Sequence, residues 1–164
     1  MAVSRARAQA AFPAQLREAD RWVTHDEAKR PLTPDGGPAS ATDPATWSPY
    51  ARVRSRARRG FVLAGDGIVC IDLDHCIGAG GELSPLAQAL LERCPPTYIE
   101  VSPSGDGLHV WGRGEVVRGR RMRRRGGPVE LYGSGRYITV TGKPHGGAPA
   151  VLGDLSGAIR WLTT

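Results

Sequence analysis

Ile68-Val69-Cys70-Ile71-Asp72-Leu73-Asp74 decides how the rest of the 164-residue chain is read. The run is short and apolar, with Gly65-Asp66-Gly67 before it and Gly78-Ala79-Gly80-Gly81 after it. β-Branched residues between turn signals predict a buried strand. Side chains alternate along a strand, so Ile71 and Leu73 share one face while Cys70, Asp72 and Asp74 share the other. Two carboxylates side by side on a mostly buried strand repel each other and are costly to desolvate. A hard divalent cation between them, Mg²⁺ or Mn²⁺, removes that conflict. A strand end at which both aspartates reach solvent is the plainer alternative.

The length is that of one domain with a real core. Hydrophobic residues at 40% and charged residues at 23% fit a globular protein. No run of about 18 apolar residues occurs, so no membrane span is expected. Met1 to Arg7 has no apolar segment of the secretory kind. Cys70, Cys76 and Cys94 are widely spaced and form neither a zinc framework nor a disulfide scaffold. The expected location is a reducing cytoplasm. The net charge of +6 suits a polyanionic partner, nucleic acid first. Arginine carries it, Lys29 and Lys143 being the only lysines. A GC-rich coding sequence also favours Arg, Ala, Gly and Pro, so the charge permits nucleic-acid binding without requiring it.

Working outward, residues 1–12 read as a loose lead-in and 13–164 as one domain. Trp22 to His25 is a short strand. Asp43-Pro44 predicts a helix running to about Arg58 that buries Trp47, Tyr50 and Val53. Phe61 to Ala64 is a strand, joined through Gly65-Asp66-Gly67 to the Asp72 strand as a hairpin. Ser84-Pro85 caps a helix that Pro95-Pro96 ends. Strands follow at 97–101, 108–112, 129–132 and 136–141, with Arg118 to Arg125 as an irregular basic excursion. A last helix, capped by Asp154, carries Ile159, Trp161 and Leu162. The pattern predicts an α+β fold with one mixed, largely antiparallel sheet and flanking helices.

Three strands repeat one design. Asp72 lies between Ile71 and Leu73, His109 between Leu108 and Val110, and Glu130 between Val129 and Leu131. On a shared sheet the apolar neighbours line the core, and Asp72, Asp74, His109 and Glu130 converge on one surface. The turn Ser102-Pro103-Ser104-Gly105-Asp106-Gly107 offers backbone N–H groups to phosphate oxygens, with Ser102 or Ser104 as an added donor. Any tight hairpin could carry such a turn.

Ile71-Asp72-Leu73-Asp74, Ser102-Pro103-Ser104-Gly105-Asp106-Gly107-Leu108-His109 and Val129-Glu130-Leu131-Tyr132 together resemble the three motifs of the archaeo-eukaryotic primase superfamily. Its bifunctional primase–polymerase branch of phages, plasmids and mobile elements is the nearest match, over residues 20 to 145. The resemblance implies a primase–polymerase core with an RRM-like catalytic sheet. It implies that Asp72, Asp74 and Glu130 hold two divalent ions, with His109 as a further catalytic residue. His109, Ser102, Ser104, Gly105, Arg136 and Lys29 would bind the incoming nucleotide. Arg120, Arg121, Arg123, Arg124 and Arg125 would grip template or primer. The expected activity is template-directed addition of dNTP or NTP to a 3′-hydroxyl of DNA, with extension favoured over de novo priming and a helicase supplied in trans. The same carboxylates could serve a metal-dependent nuclease or phosphoesterase, and the basic run alone could serve a non-catalytic nucleic-acid-binding module.

Overall fold

Two sheets, not one, carry the strands of the computed structural model, which describes residues 12–164. The lead-in expected over 1–12 lies outside the described residues except for Phe12, which is buried against Trp22, Tyr50 and Tyr98. In chain order the elements are α1 (Ala14–Glu18), β1 (Trp22–His25), β2 (Pro31–Leu32), β3 (Arg59–Ala64), β4 (Ile68–Leu73), α2 (Pro85–Leu91), β5 (Ile99–Val101), β6 (Leu108–Arg113), β7 (Arg120–Arg124), β8 (Gly127–Tyr132), β9 (Ser134–Thr139), β10 (Gly153–Asp154) and α3 (Ser156–Thr163). The smaller sheet has the order β2-β1-β3-β9. The larger has the order β10-β6-β4-β8-β7, with β5 also paired to β6. The pair β10–β6 is parallel, and the other strand pairs are antiparallel. The α+β class expected from the sequence is the class observed.

The expected hairpin at Gly65-Asp66-Gly67 is not one. β3 belongs to the smaller sheet and β4 to the larger. The β8–β9 connection at Gly133 makes the same crossing, and the Gly65 N–H donates to the Gly133 carbonyl at 2.9 Å, so the two crossings are bonded to each other. Both Gly65 and Gly67 have positive φ, which explains the hairpin-like composition without a hairpin. Asp66 in this turn pairs with the buried Arg21 at 2.9 Å.

The helix expected from Asp43 to Arg58 is replaced by two 3₁₀ turns, Pro44–Thr46 and Tyr50–Arg52. Asp43 does cap the first, accepting from the Ala45 N–H at 3.1 Å. Pro49 then disfavours helical geometry at Ser48. Ser48 instead exchanges two backbone hydrogen bonds with Trp22, each 2.9 Å. Val53 is buried as expected. The basic excursion is also regular: Arg120–Arg124 forms β7, hairpin-paired with β8.

Each face of the larger sheet has its own cover. Val69, Ile71, Leu73, Leu108, Val110, Val129 and Leu131 pack on Leu86, Ala87 and Leu90 of α2 and on Ala158, Ile159 and Leu162 of α3. Ser84 caps α2 through its hydroxyl, which accepts from the Ala87 N–H at 3.2 Å. Asp154 accepts from the Ser156 N–H at 2.9 Å at the start of α3. On the opposite face Cys70, Trp111, Tyr132 and Tyr98 pack with Trp22, Phe61 and Ile138 of the smaller sheet.

Candidate active site

The strand register places five charged or titratable residues in one row. Asp72 stands opposite His109 on one side and Glu130 on the other. Glu100 stands opposite His109, and Arg121 opposite Glu130. The row therefore reads Arg121, Glu130, Asp72, His109, Glu100 across β7, β8, β4, β6 and β5. Directly opposed residues share a face, so all five project on the side away from α2 and α3. The preceding row on that face, Tyr132–Cys70–Trp111, is apolar core under the smaller sheet. Within one row the surface changes from core to charge.

The charged row opens into a cleft of about 500 Å³ lined from both sheets. Asp72, Asp74, His109, Arg121, Glu130 and Tyr132 come from the larger sheet and its flank, and Arg136, Tyr137 and Thr139 from β9. Lys29 enters from the β1–β2 loop, with a positive φ of 62°. Its carbonyl accepts from the Tyr137 hydroxyl at 2.5 Å, and the Tyr137 ring stacks on His25. The Arg136 guanidinium lies 4.2 Å above the Tyr132 ring, which fixes its position in the cleft.

The Asp72 carboxyl is pushed up to about 6, chiefly by burial, with Asp74 and Glu130 also raising it and His109 and Lys29 pulling it down. Its Oδ1 is buried with no hydrogen-bond partner and lies 3.7 Å from His109 Nε2. A half-buried carboxylate with an unsatisfied oxygen and a second aspartate two residues on is a donor set for a hard divalent cation. Glu130 is engaged elsewhere: Oε1 pairs with Arg121 at 3.0 Å, and Oε2 accepts from the Tyr132 hydroxyl at 2.9 Å. Accordingly, no three His, Cys, Asp or Glu side chains among the described residues are already gathered around one point as a metal cage. Asp72 and Asp74 carry the fit, and Glu130 joins them only by exchanging these partners.

His109 is buried, and burial works against its charged form. The Glu100 hydrogen bond and the charges of Glu100, Asp72 and Asp74 outweigh that and raise its pKa. Glu100 is fully buried and was not among the site residues read from the sequence. The signal was present, since Glu100 lies between Ile99 and Val101 in the same apolar–polar–apolar pattern as the other three strands.

The Ser102–Gly107 turn contributes Pro103 to the cleft lining, while Ser102, Ser104 and Gly105 are not lining residues. The Ser102 and Ser104 hydroxyls lie 3.0 Å apart, and Ser104 donates to Asp106 at 2.6 Å. Gly107 holds the turn against the aspartate strand: a Cβ there would lie 2.7 Å from the Leu73 carbonyl. The basic residues divide by face. Arg121 points at Glu130, and Arg123 shares its face. Arg124 donates to the Leu162 carbonyl at 2.7 Å, and Arg125 lies over the Trp161 ring. Arg120 is exposed.

The family model for the N-terminal domain of bifunctional DNA primase/polymerases matches residues 6–162. The chain is also similar to a DNA primase-polymerase of Nitratiruptor phage NrS-1, with 36% identity over 134 residues that cover 74% of this chain. The aligned part spans 18% of that relative's length. With nearly the whole chain matched, and Asp72, His109 and Glu130 set in one row at the cleft, the protein belongs to the bifunctional DNA primase/polymerase family, in the part that forms its N-terminal domain.

Proposed function

We propose that this domain is a template-directed nucleotidyltransferase that joins an incoming nucleotide to the 3′-hydroxyl of a DNA strand and releases pyrophosphate. The observation that carries the reading is the row Glu130–Asp72–His109 at the floor of a cleft whose other wall presents Arg136 and Lys29. Acidic and basic groups face each other across a space of nucleotide size. Asp72, Asp74 and Glu130 would hold two Mg²⁺ or Mn²⁺ ions. Such ions lower the pKa of an attacking hydroxyl and neutralise charge on a departing pyrophosphate.

The chain's own residues bind and orient. The Arg136 guanidinium, pinned on Tyr132, offers a planar fork to phosphate oxygens. Lys29 adds a point charge from the β1–β2 loop. His109 presents Nε2 beside Asp72, where a triphosphate would meet it. Ser102, Ser104 and Gly105 bond to one another within the turn that sets Pro103 at the cleft edge, and would serve the nucleotide only through that placement. Arg120, Arg123 and Arg125 on the outer hairpin contact the DNA backbone, and a helicase acting in trans would supply single-stranded template. Catalysis rests mainly on positioning and charge neutralisation.

A labelled primer–template incubated with Mn²⁺ and each dNTP in turn tests this. Growth by one nucleotide with only the complementary dNTP is expected. Shortening of the primer without growth would assign the same carboxylates to hydrolysis, and unchanged DNA would leave a binding module.

A further inference from the structure

We propose that Glu100 is a positioning residue for the nucleotide-binding half of the cleft. It orients His109 and ties that histidine to the segment leaving the strand that carries Arg136. This deepens the nucleotidyltransferase reading and rests on it for the role of His109.

The argument begins with a carboxylate that has no access to solvent. A buried carboxylate persists only when hydrogen bonds replace its water. Glu100 has four such bonds. Oε1 accepts from His109 Nδ1 at 3.0 Å and from the Thr141 N–H at 3.2 Å. Oε2 accepts from the Tyr98 hydroxyl and the Gly142 N–H, both at 2.9 Å. The two backbone groups can only donate, so both oxygens act as acceptors. His109 Nδ1 must then be the donor in its bond, which assigns the ring's proton to Nδ1. Nε2 is left turned toward Asp72 and the cleft.

The same carboxylate bridges three parts of the fold. β5 supplies it, β6 supplies His109, and Thr141 and Gly142 follow β9, which carries Arg136 and Thr139. The Thr141 hydroxyl donates in turn to the Val101 carbonyl at 2.6 Å, doubling the link between β5 and this segment. Glu100 thereby sets the spacing between the two proposed phosphate ligands, His109 from the larger sheet and Arg136 from the smaller. A residue with this role acts on nucleotide affinity. It does not touch the metal-bearing carboxylates or the basic hairpin.

Two readouts decide it. The first is the long-range ¹H–¹⁵N spectrum of the His109 ring in the protein without nucleotide or DNA. Nδ1 protonated in the wild type is expected, and a bare Nδ1 with the proton on Nε2 overturns the proposal. The second is primer extension by Glu100→Gln and by Tyr98→Phe, which removes one of the four bonds and is the milder change should Glu100→Gln not fold. A rise in the KM for dNTP of about tenfold, with primer–template Kd unchanged and kcat altered by less than about threefold, is expected for Glu100→Gln. A smaller shift in the same direction is expected for Tyr98→Phe. Unchanged KM in a folded variant, or loss of DNA binding in parallel, overturns the proposal. If the wild type does not extend primers, the nucleotidyltransferase reading fails while the ring spectrum still decides the Glu100–His109 bond.

Discussion

Asp72 works against the stability of its own fold. Its folded-state pKa of about 6 lies above the ordinary 3.8, so the folded protein holds this proton more tightly than the unfolded chain does. The stability this contributes is complete below 3.8 and is lost as pH rises through about 6. At pH 7.5 without metal, Asp72→Asn is therefore expected to stabilise the protein by roughly 1–3 kcal/mol, with the gain fading as pH falls through about 6 and gone by about 4. Denaturant melts of both proteins at the two pH values check this. Asp72, His109 and Glu130 were legible in the sequence because a polar residue between two apolar ones on a strand has only one place to point, and Asp74 because it follows Asp72 by two residues. That they share a row was not legible, since register depends on pairing between strands far apart in sequence. Glu100 shows the limit from the other side. Its pattern was the same, but a glutamate whose work is to hold a histidine has no local mark that separates it from a solvated one.

Strand and helix signals held where local chemistry was decisive. Ser84 and Pro85 start α2 as read, and Ser84→Ala is expected to cost about 1 kcal/mol in an equilibrium melt through loss of the cap. The misread elements share a cause: a local signal overridden by a distant partner. Asp43-Pro44 opened only one turn, because Pro49 and the exchange of bonds between Ser48 and Trp22 draw the chain out of helix. Gly65-Asp66-Gly67 had hairpin composition, but the partner of β3 is β9 and the partners of β4 are β6 and β8. Arg118 to Arg125 looked irregular because arginine is a poor strand signal, yet β8 provides a ready edge. Gly60 on β3 marks a close approach that affects the cleft. A Cβ there would meet Tyr137 Cδ2 at 2.3 Å. Gly60→Ala is expected to displace Tyr137 from its stack on His25 and from the Lys29 carbonyl, raising the KM for dNTP while the Tm falls by a few degrees. An unchanged KM would separate Tyr137 from the nucleotide site.

At the scale of the whole molecule, charge is distributed by function. The chain carries a net +6, but the cleft floor is acidic and the basic residues lie on its far wall and along β7. DNA binding that uses β7 should depend steeply on salt. Arg123→Ala is expected to weaken primer–template binding by similar factors for unrelated sequences and to lower the salt slope by about one. A sequence-dependent loss would place Arg123 against bases. The acidic floor makes the opposite demand, because Glu130 and Asp72 stand side by side in one row and need cations to face a triphosphate. The central claim is that this row, with Asp74, is the metal-bearing half of a nucleotidyl-transfer site. The most direct measurement is the thermal melt of the wild type and of Asp72→Asn/Asp74→Asn with and without Mn²⁺. At about a hundred times the Kd, Mn²⁺ is expected to raise the wild-type Tm by roughly 5–10 °C and to leave the double variant unmoved. An equal rise in the double variant would contradict the claim.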